Sequence, residues 1–240
     1  MREIFLREED GKQVYIEVDL NAYGYSNKYG WLLSVFVKFD ALDESAEGFE
    51  EFLEAKESLI IALEHEEKAK YVGSRVIDGW SELYFYAQGS KGLDAVVRDI
   101  LKPANYIYES NVVRDAKWDF HYRNLAPKEL ELCHIESEKI IFLLSQEGDD
   151  LSIPREVEHY ISFTMPTQKN KFLNSLVLEG FTVKDEISSE EFEHGVALVK
   201  THAVTSEEVK KVVNELFEAI KKEQGYYEGW STLLIEDENS

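Results

Sequence analysis

The chain has 240 residues, 44% hydrophobic and 12% aromatic, with 48 Asp and Glu against 26 Lys and Arg for a formal net charge of −22. That length and apolar content give one large or two ordinary domains with real cores, and they exclude a disordered chain. The acidity is spread over both halves, 24 acids against 15 bases in residues 1–127 and 24 against 11 in residues 128–240, which argues against direct RNA or DNA binding and suits solubility, or docking onto a basic protein segment.

Strand candidates at 3–8 and 13–20 flank the turn Glu9-Asp10-Gly11-Lys12. In the second, Val14, Ile16 and Val18 alternate with Tyr15, Glu17 and Asp19, the period of a half-buried strand. The Gly, Tyr and Asn-rich loop 21–30 has no phosphate-loop spacing. Trp31–Phe39 reads as an apolar strand. Glu47–Lys70 reads as a long helix with a stripe of Phe49, Phe52, Leu53, Leu59, Ile60 and Leu63. Strands follow at Tyr71–Ile77 and Trp80–Ala87, joined by the hairpin dipeptide Asp78-Gly79. A shorter helix at Leu93–Leu101 must end before Pro103, and Asn105–Val113 is another strand.

Pro127 suits the first turn of a helix that continues to Glu147, with a break foreseen near His134, and Gly148 ends it. This helix is the natural connector between two domains. Arg155–Thr164 is a strand, stopped by Pro166. Thr167 caps a helix over Gln168–Leu178. Strands at Phe181–Ile187 and Phe192–His202 lead to a helix capped by Thr205, with Glu208 completing a capping box. Val209, Val212, Val213, Leu216, Phe217 and Ile220 hold helical spacing along it, and Tyr226–Ile235 is the last strand. Both halves therefore spell βαββαβ, which predicts two α+β domains, 1–127 and 128–240. Each fits a ferredoxin-like sandwich, an antiparallel sheet with helices on one face.

Candidate chemistry is sparse. His65, His121, His134, His159, His194 and His202 form no His-Glu-x-x-His motif, and there is no Cys-x-x-Cys, so no metal is expected. His159 shares strand parity with Val157, Ile161 and Phe163, which points it towards the core or its rim, as a hydrogen-bonded, partly buried ring rather than a ligand or catalyst. Cys133 is the single cysteine, so no intramolecular disulfide forms. Without a Gly-rich turn or oxyanion donors around it, a packed thiol is the default. The acidic pairs Glu50-Glu51, Glu66-Glu67 and Glu190-Glu191 read as solvated surface. Trp80, Tyr84, Phe85 and Tyr86 lack the interleaved basic residues of a base-stacking platform. The first residues show neither a basic region nor a long apolar run, and no stretch approaches a membrane span, so a cytoplasmic protein is expected.

The most informative stretch is Gly225–Thr232, Gly-Tyr-Tyr-Glu-Gly-Trp-Ser-Thr. Gly225 is placed to stop the preceding helix in a left-handed conformation, and Gly229 to bend or bulge a strand. Tyr227-Glu228-Gly229-Trp230 with Thr232 resembles the Tyr-Asp-Gly-Trp-x-Thr signature of the bacterial regulators of ribonuclease E activity B. Glu147-Gly148-Asp149-Asp150, Val157-Glu158-His159 and Leu178–Val183 resemble further pieces of that family in the same order, over about residues 134–236. The first half resembles a bacterial family of unknown function through Trp31, Tyr84-Phe85-Tyr86, and Trp118, Tyr122, Leu125 and Pro127.

The resemblance implies a non-catalytic protein that binds a ribonuclease, or a scaffold segment of one, rather than cutting RNA. It marks Glu158, His159, Tyr227, Glu228, Gly229 and Trp230 as the shared partner-binding surface or as its scaffold. No catalytic residue and no cofactor are implied. The chain departs from the family in its extra preceding domain and in its short acidic end, Glu236-Asp237-Glu238-Asn239-Ser240. An enzyme with a small-molecule pocket between the two domains, lined by His121, His134 or His159, is the rival reading. A homo-oligomeric module using exposed sheet faces is a third. A closed cleft of convergent polar groups would favour the enzyme, and a flat acidic face the binder.

Overall fold

A computed structural model describes residues 2–42, 44–175, 180–188 and 194–235. The chain divides into two compact units, Met1–Ala126 and Pro127–Ser240.

The first unit holds strands β1 (Arg2–Glu9), β2 (Lys12–Asp19), β3 (Trp31–Val37), β4 (Ala69–Ile77), β5 (Trp80–Ala87) and β6 (Tyr108–Arg114), with helices α1 (Phe49–Glu64) and α2 (Leu93–Leu101). They form one antiparallel sheet in the order β1-β2-β4-β5-β3-β6. β3 to β6 make the interleaved βαββαβ arrangement, and the β1–β2 hairpin extends it beside β4. Asp78 and Gly79 both take positive φ, 52° and 74°, as the tight hairpin between β4 and β5 requires.

One sheet face packs Leu33, Val35, Leu83 and Phe85 against Phe52, Leu59 and Leu63 of α1 and Val97 of α2. The chain's own return seals the other face. The Trp118 indole stacks on Tyr86 with ring centroids 3.8 Å apart and donates to the Tyr29 carbonyl at 2.5 Å. Buried Arg7 on β1 donates to the carbonyls of Asn124 and Ala126 at 3.1 and 2.8 Å.

The helix expected over Glu47–Lys70 stops at Glu64. Its apolar stripe runs out at Leu63, Glu66 and Glu67 take left-handed φ of 55° and 54°, and the Glu64 carboxylate accepts the Tyr71 amide at 3.1 Å. Residues 65–68 beyond it are all exposed, so the chain turns instead into β4, whose first residue, Ala69, is buried in the core.

The second unit holds α3 (Glu129–Gln146), β7 (Arg155–Ser162), α4 (Pro166–Ser175), β8 (Thr182–Ile187), β9 (Gly195–His202), α5 (Ser206–Lys222) and β10 (Tyr226–Thr232). Its four antiparallel strands lie in the order β10-β7-β9-β8, again the interleaved pattern of a ferredoxin-like sandwich. The Thr205 hydroxyl accepts the Glu208 amide at the start of α5. Val209, Val212, Val213, Leu216 and Ile220 of α5 are buried on the sheet. α4 begins at Pro166, one residue before the expected cap Thr167. The expected helix end at Leu178, strand start at Phe192 and pair Glu190-Glu191 lie outside the described residues.

α3 is unbroken at His134 and is more than a connector. Leu130, Cys133, Ile140 and Leu144 pack it on the core of the second unit, beside α5 and β10. Gly148, at φ 79°, ends its last turn. Buried Asp149 then receives Arg155 Nη1 at 2.6 Å and the Ile235 amide at 2.8 Å, which pins the chain beyond β10 to the start of β7. Among the described residues, no helix is long and apolar enough to cross a membrane.

Candidate functional site

β7 is an inner strand, and its alternation sorts its residues between two faces. Val157, His159 and Ile161 are buried towards the helices, while Glu156, Glu158, Tyr160 and Ser162 look to the opposite side. β10 pairs with it through Tyr227 and Ile161, Gly229 and Tyr160, and Trp230 and His159. The register shifts at this point, so Glu228 has no partner across the ladder. This bulge lets Tyr227 and Trp230, three residues apart, both face inward, where strict alternation would separate them. Gly229 carries the bulge at φ +126°, a conformation that disfavours any side chain. Gly225 does not make the left-handed turn expected of it, because Gln224 does so at φ 57°. Gly225 is needed for room: a Cβ there would sit 2.5 Å from the Phe163 ring.

Inward, the polar atoms form a closed chain. Tyr227 Oη lies 2.9 Å from His159 Nδ1, His159 Nε2 lies 3.2 Å from His202 Nε2, and His202 Nδ1 lies 2.7 Å from the Ala203 carbonyl. A carbonyl only accepts, so His202 holds its proton on Nδ1 and offers Nε2 as acceptor. His159 therefore donates from Nε2 and accepts the Tyr227 hydroxyl at Nδ1. With both rings neutral, every position in the chain has a partner. Burial, reinforced by His202 and Lys200, pushes His159 down to about 3. Burial also lowers His202 and raises Tyr227. The Trp230 indole donates to Ser137 Oγ at 3.1 Å, and Ser137 in turn donates to the Cys133 carbonyl at 2.7 Å. Of the six residues marked from sequence, His159, Tyr227 and Trp230 are thus buried, and Gly229 carries the bulge.

Outward, the other two keep company that the sequence reading did not single out. Glu158 and Glu228 share the open sheet face with Glu156, Tyr160, Ser162, Ser231 and Asp185. Tyr160 Oη lies 2.8 Å from Ser231 Oγ and 3.3 Å from Glu158 Oε2. Ser162 donates to Glu228, and Lys184 pairs with Glu158, whose bond holds the ammonium above its ordinary pKa. The core residues of α3, α4 and α5 all belong to the opposite face. The strand period already placed Glu156 and Tyr160 beside Glu158. Asp185 was hidden by a bulge between Val183 and Asp185.

His121 is buried in the first unit, 5.3 Å from the Trp118 ring, and burial pushes it down to about 4. His134 Nε2 lies 2.9 Å from Asn214 Oδ1 in the second unit. Burial pushes the Cys133 thiol up to about 11, away from a reactive thiolate at neutral pH. Among the described residues, no cluster of three His, Cys, Asp or Glu could hold a metal ion. A cleft of about 560 Å³ in the first unit is lined by Trp31, Lys68, Lys91, Leu93 and Val96 among others, with no histidine.

Comparison with known proteins agrees with this division. Residues 134–232 match the family model described as Regulator of ribonuclease activity B. Residues 3–125 match the model described as Family of unknown function (DUF695). No curated protein matches the chain.

Proposed function

We propose a protein-docking role for this chain, which belongs to the family of unknown function DUF695 and whose second unit is similar to regulators of ribonuclease activity. In this reading the open face of the second unit's sheet docks onto a basic segment of a ribonuclease or of its scaffold, and so modulates RNA processing without catalysis. The observation that carries it is the shared face of Glu156, Glu158, Asp185 and Glu228, away from all three helices of the unit. Carboxylates so placed attract cations and repel phosphates, and they speed association with a basic partner at low salt. The buried histidine chain supports the reading from the other side, since its protons are committed to one another and leave no free base. The reading includes a cytoplasmic setting, no cofactor and no direct nucleic-acid contact.

The test mixes the full chain with a purified ribonuclease that carries a basic segment, following complex formation and RNA cleavage against salt. Glu158→Lys and Glu228→Lys should each weaken binding about tenfold at low salt, since each exchanges an attraction for a repulsion of about 1 kcal/mol. Both positions leave the core intact. Tight, salt-sensitive RNA binding by the chain alone would overturn the proposal, as would unchanged binding in the two variants.

A further inference from the structure

β10 and α3 enclose a groove of about 220 Å³ on the second unit. Its α3 wall includes Leu132, Cys133 and Ile140, and its β10 side runs from Tyr227 to Trp230. Trp230 is held in place by its bond to Ser137, so this side is rigid. The bulge shapes the opening: Glu228 is out of register, and a Cβ at Gly229 would meet nothing within 4 Å.

The lip of the groove is apolar and wet. Leu132 is 38% exposed, and Leu143, one turn beyond Ile140 on the same stripe of α3, is 62% exposed. Isolated exposed leucines are ordinary, but Leu132 lines this concave space and Leu143 continues its stripe beyond it. Glu136, paired with Lys139 at 2.9 Å, and Glu228, which accepts Ser162, stand at the mouth and are exposed, each with its second carboxylate oxygen open to a partner. Glu228 also belongs to the open acidic face, so the groove continues the surface assigned above to docking.

We infer that this groove is the anchor pocket for one large apolar side chain of the basic partner segment. The inference rests on the docking reading and adds where the partner's apolar contact lies. Charge complementarity selects the occupant: cations flanking the apolar residue meet Glu136 and Glu228, and the residue itself enters between Leu132, Ile140 and Trp230. Strand addition along β10 fits less well, because a bulge interrupts the ladder of backbone groups that an incoming strand would need. Side-chain insertion into a rigid pocket needs no such ladder.

The experiment uses the full chain and two synthetic Lys/Arg-rich peptides that differ only in one central residue, Leu or Ala, with binding followed by calorimetry. The Leu peptide should bind about tenfold more tightly than the Ala peptide, as loss of an anchor side chain commonly costs. Cys133→Phe, which fills the groove, and Leu132→Ser, which removes its exposed lip without touching the core, should each erase that difference while the Ala peptide still binds. Equal binding of the two peptides to the native chain overturns the anchor pocket and leaves the acidic face standing. Discrimination that survives in a folded Leu132→Ser chain overturns it as well. Binding of neither peptide overturns the docking reading beneath it. A dimer seen by light scattering and lost in Leu132→Ser, with peptide binding unchanged, would assign the groove to a second copy of the chain and overturn the inference.

Discussion

Mild acid should destabilise the second unit through His159. Its ring is fully buried and neutral, with a folded pKa pushed from 6.5 down to about 3. The unfolded ring takes up a proton near 6.5 and the folded ring does not, so folding stability is complete above that value and falls as the pH drops towards about 3. Linkage over this shift gives a loss of about 2 kcal/mol at pH 5 and a limit near 5 kcal/mol below pH 3. Protonation would also put an N–H where Nδ1 accepts the Tyr227 hydroxyl, and the Lys200 ammonium adds positive charge nearby. Urea unfolding of the full chain at pH 7, 6 and 5, beside His159→Gln at each pH, measures the effect. The comparison cancels His121, which titrates in the same direction in the first unit. The difference in stability between the two chains should shrink by about 2 kcal/mol from pH 7 to pH 5 as the native chain loses its advantage. An unchanged difference across that range would refute the buried neutral ring.

Two further substitutions test the scaffold. Gly229→Ala should lower stability by about 1–3 kcal/mol from backbone strain alone, since no atom lies near the added carbon; thermal unfolding reads it, and a neutral result would remove the bulge. Asp149→Ala should cost about 3–5 kcal/mol, because it strands buried Arg155 without its counter-charge. Faster hydrogen exchange in β7 and around Leu233–Ile235 should accompany that loss, and unchanged exchange there would show that the pair does not hold the chain end.

Local chemistry was legible wherever one residue type suffices for one conformation. Asp78-Gly79 announced its hairpin, Thr205 its helix start, and the alternation of Val157, His159 and Ile161 the inner face of β7. The end of α1 was not legible, because Glu64, Glu66, Glu67 and Lys68 are compatible with a helix and it is the lack of anything to bury over 65–68 that stops it. The division of the candidate site was hidden for a related reason. Tyr227, Glu228, Gly229 and Trp230 read as one aromatic cluster, and it takes the register against β7 to send two of them inward and one outward. Asp185 joined the acidic face through a second bulge that periodicity alone cannot reveal. The pairing of α3 with β10 depends on a contact between Ser137 and Trp230, 93 residues apart, to which no sequence window extends.

The bonds from Arg7 to Asn124 and Ala126 also bear on the order of events during synthesis. β1 finds these carbonyl partners only when the last residues of its unit have followed it in synthesis. The same holds for Tyr29, which waits for Trp118. Such separations make a transition state with high contact order and a slow search. Until Ala126 is free of the tunnel, the sheet face beneath Trp118 stays bare, with Tyr86 uncovered, and is open to wrong partners. A nascent chain arrested just short of Trp118 is therefore the species of this protein that should most engage a chaperone.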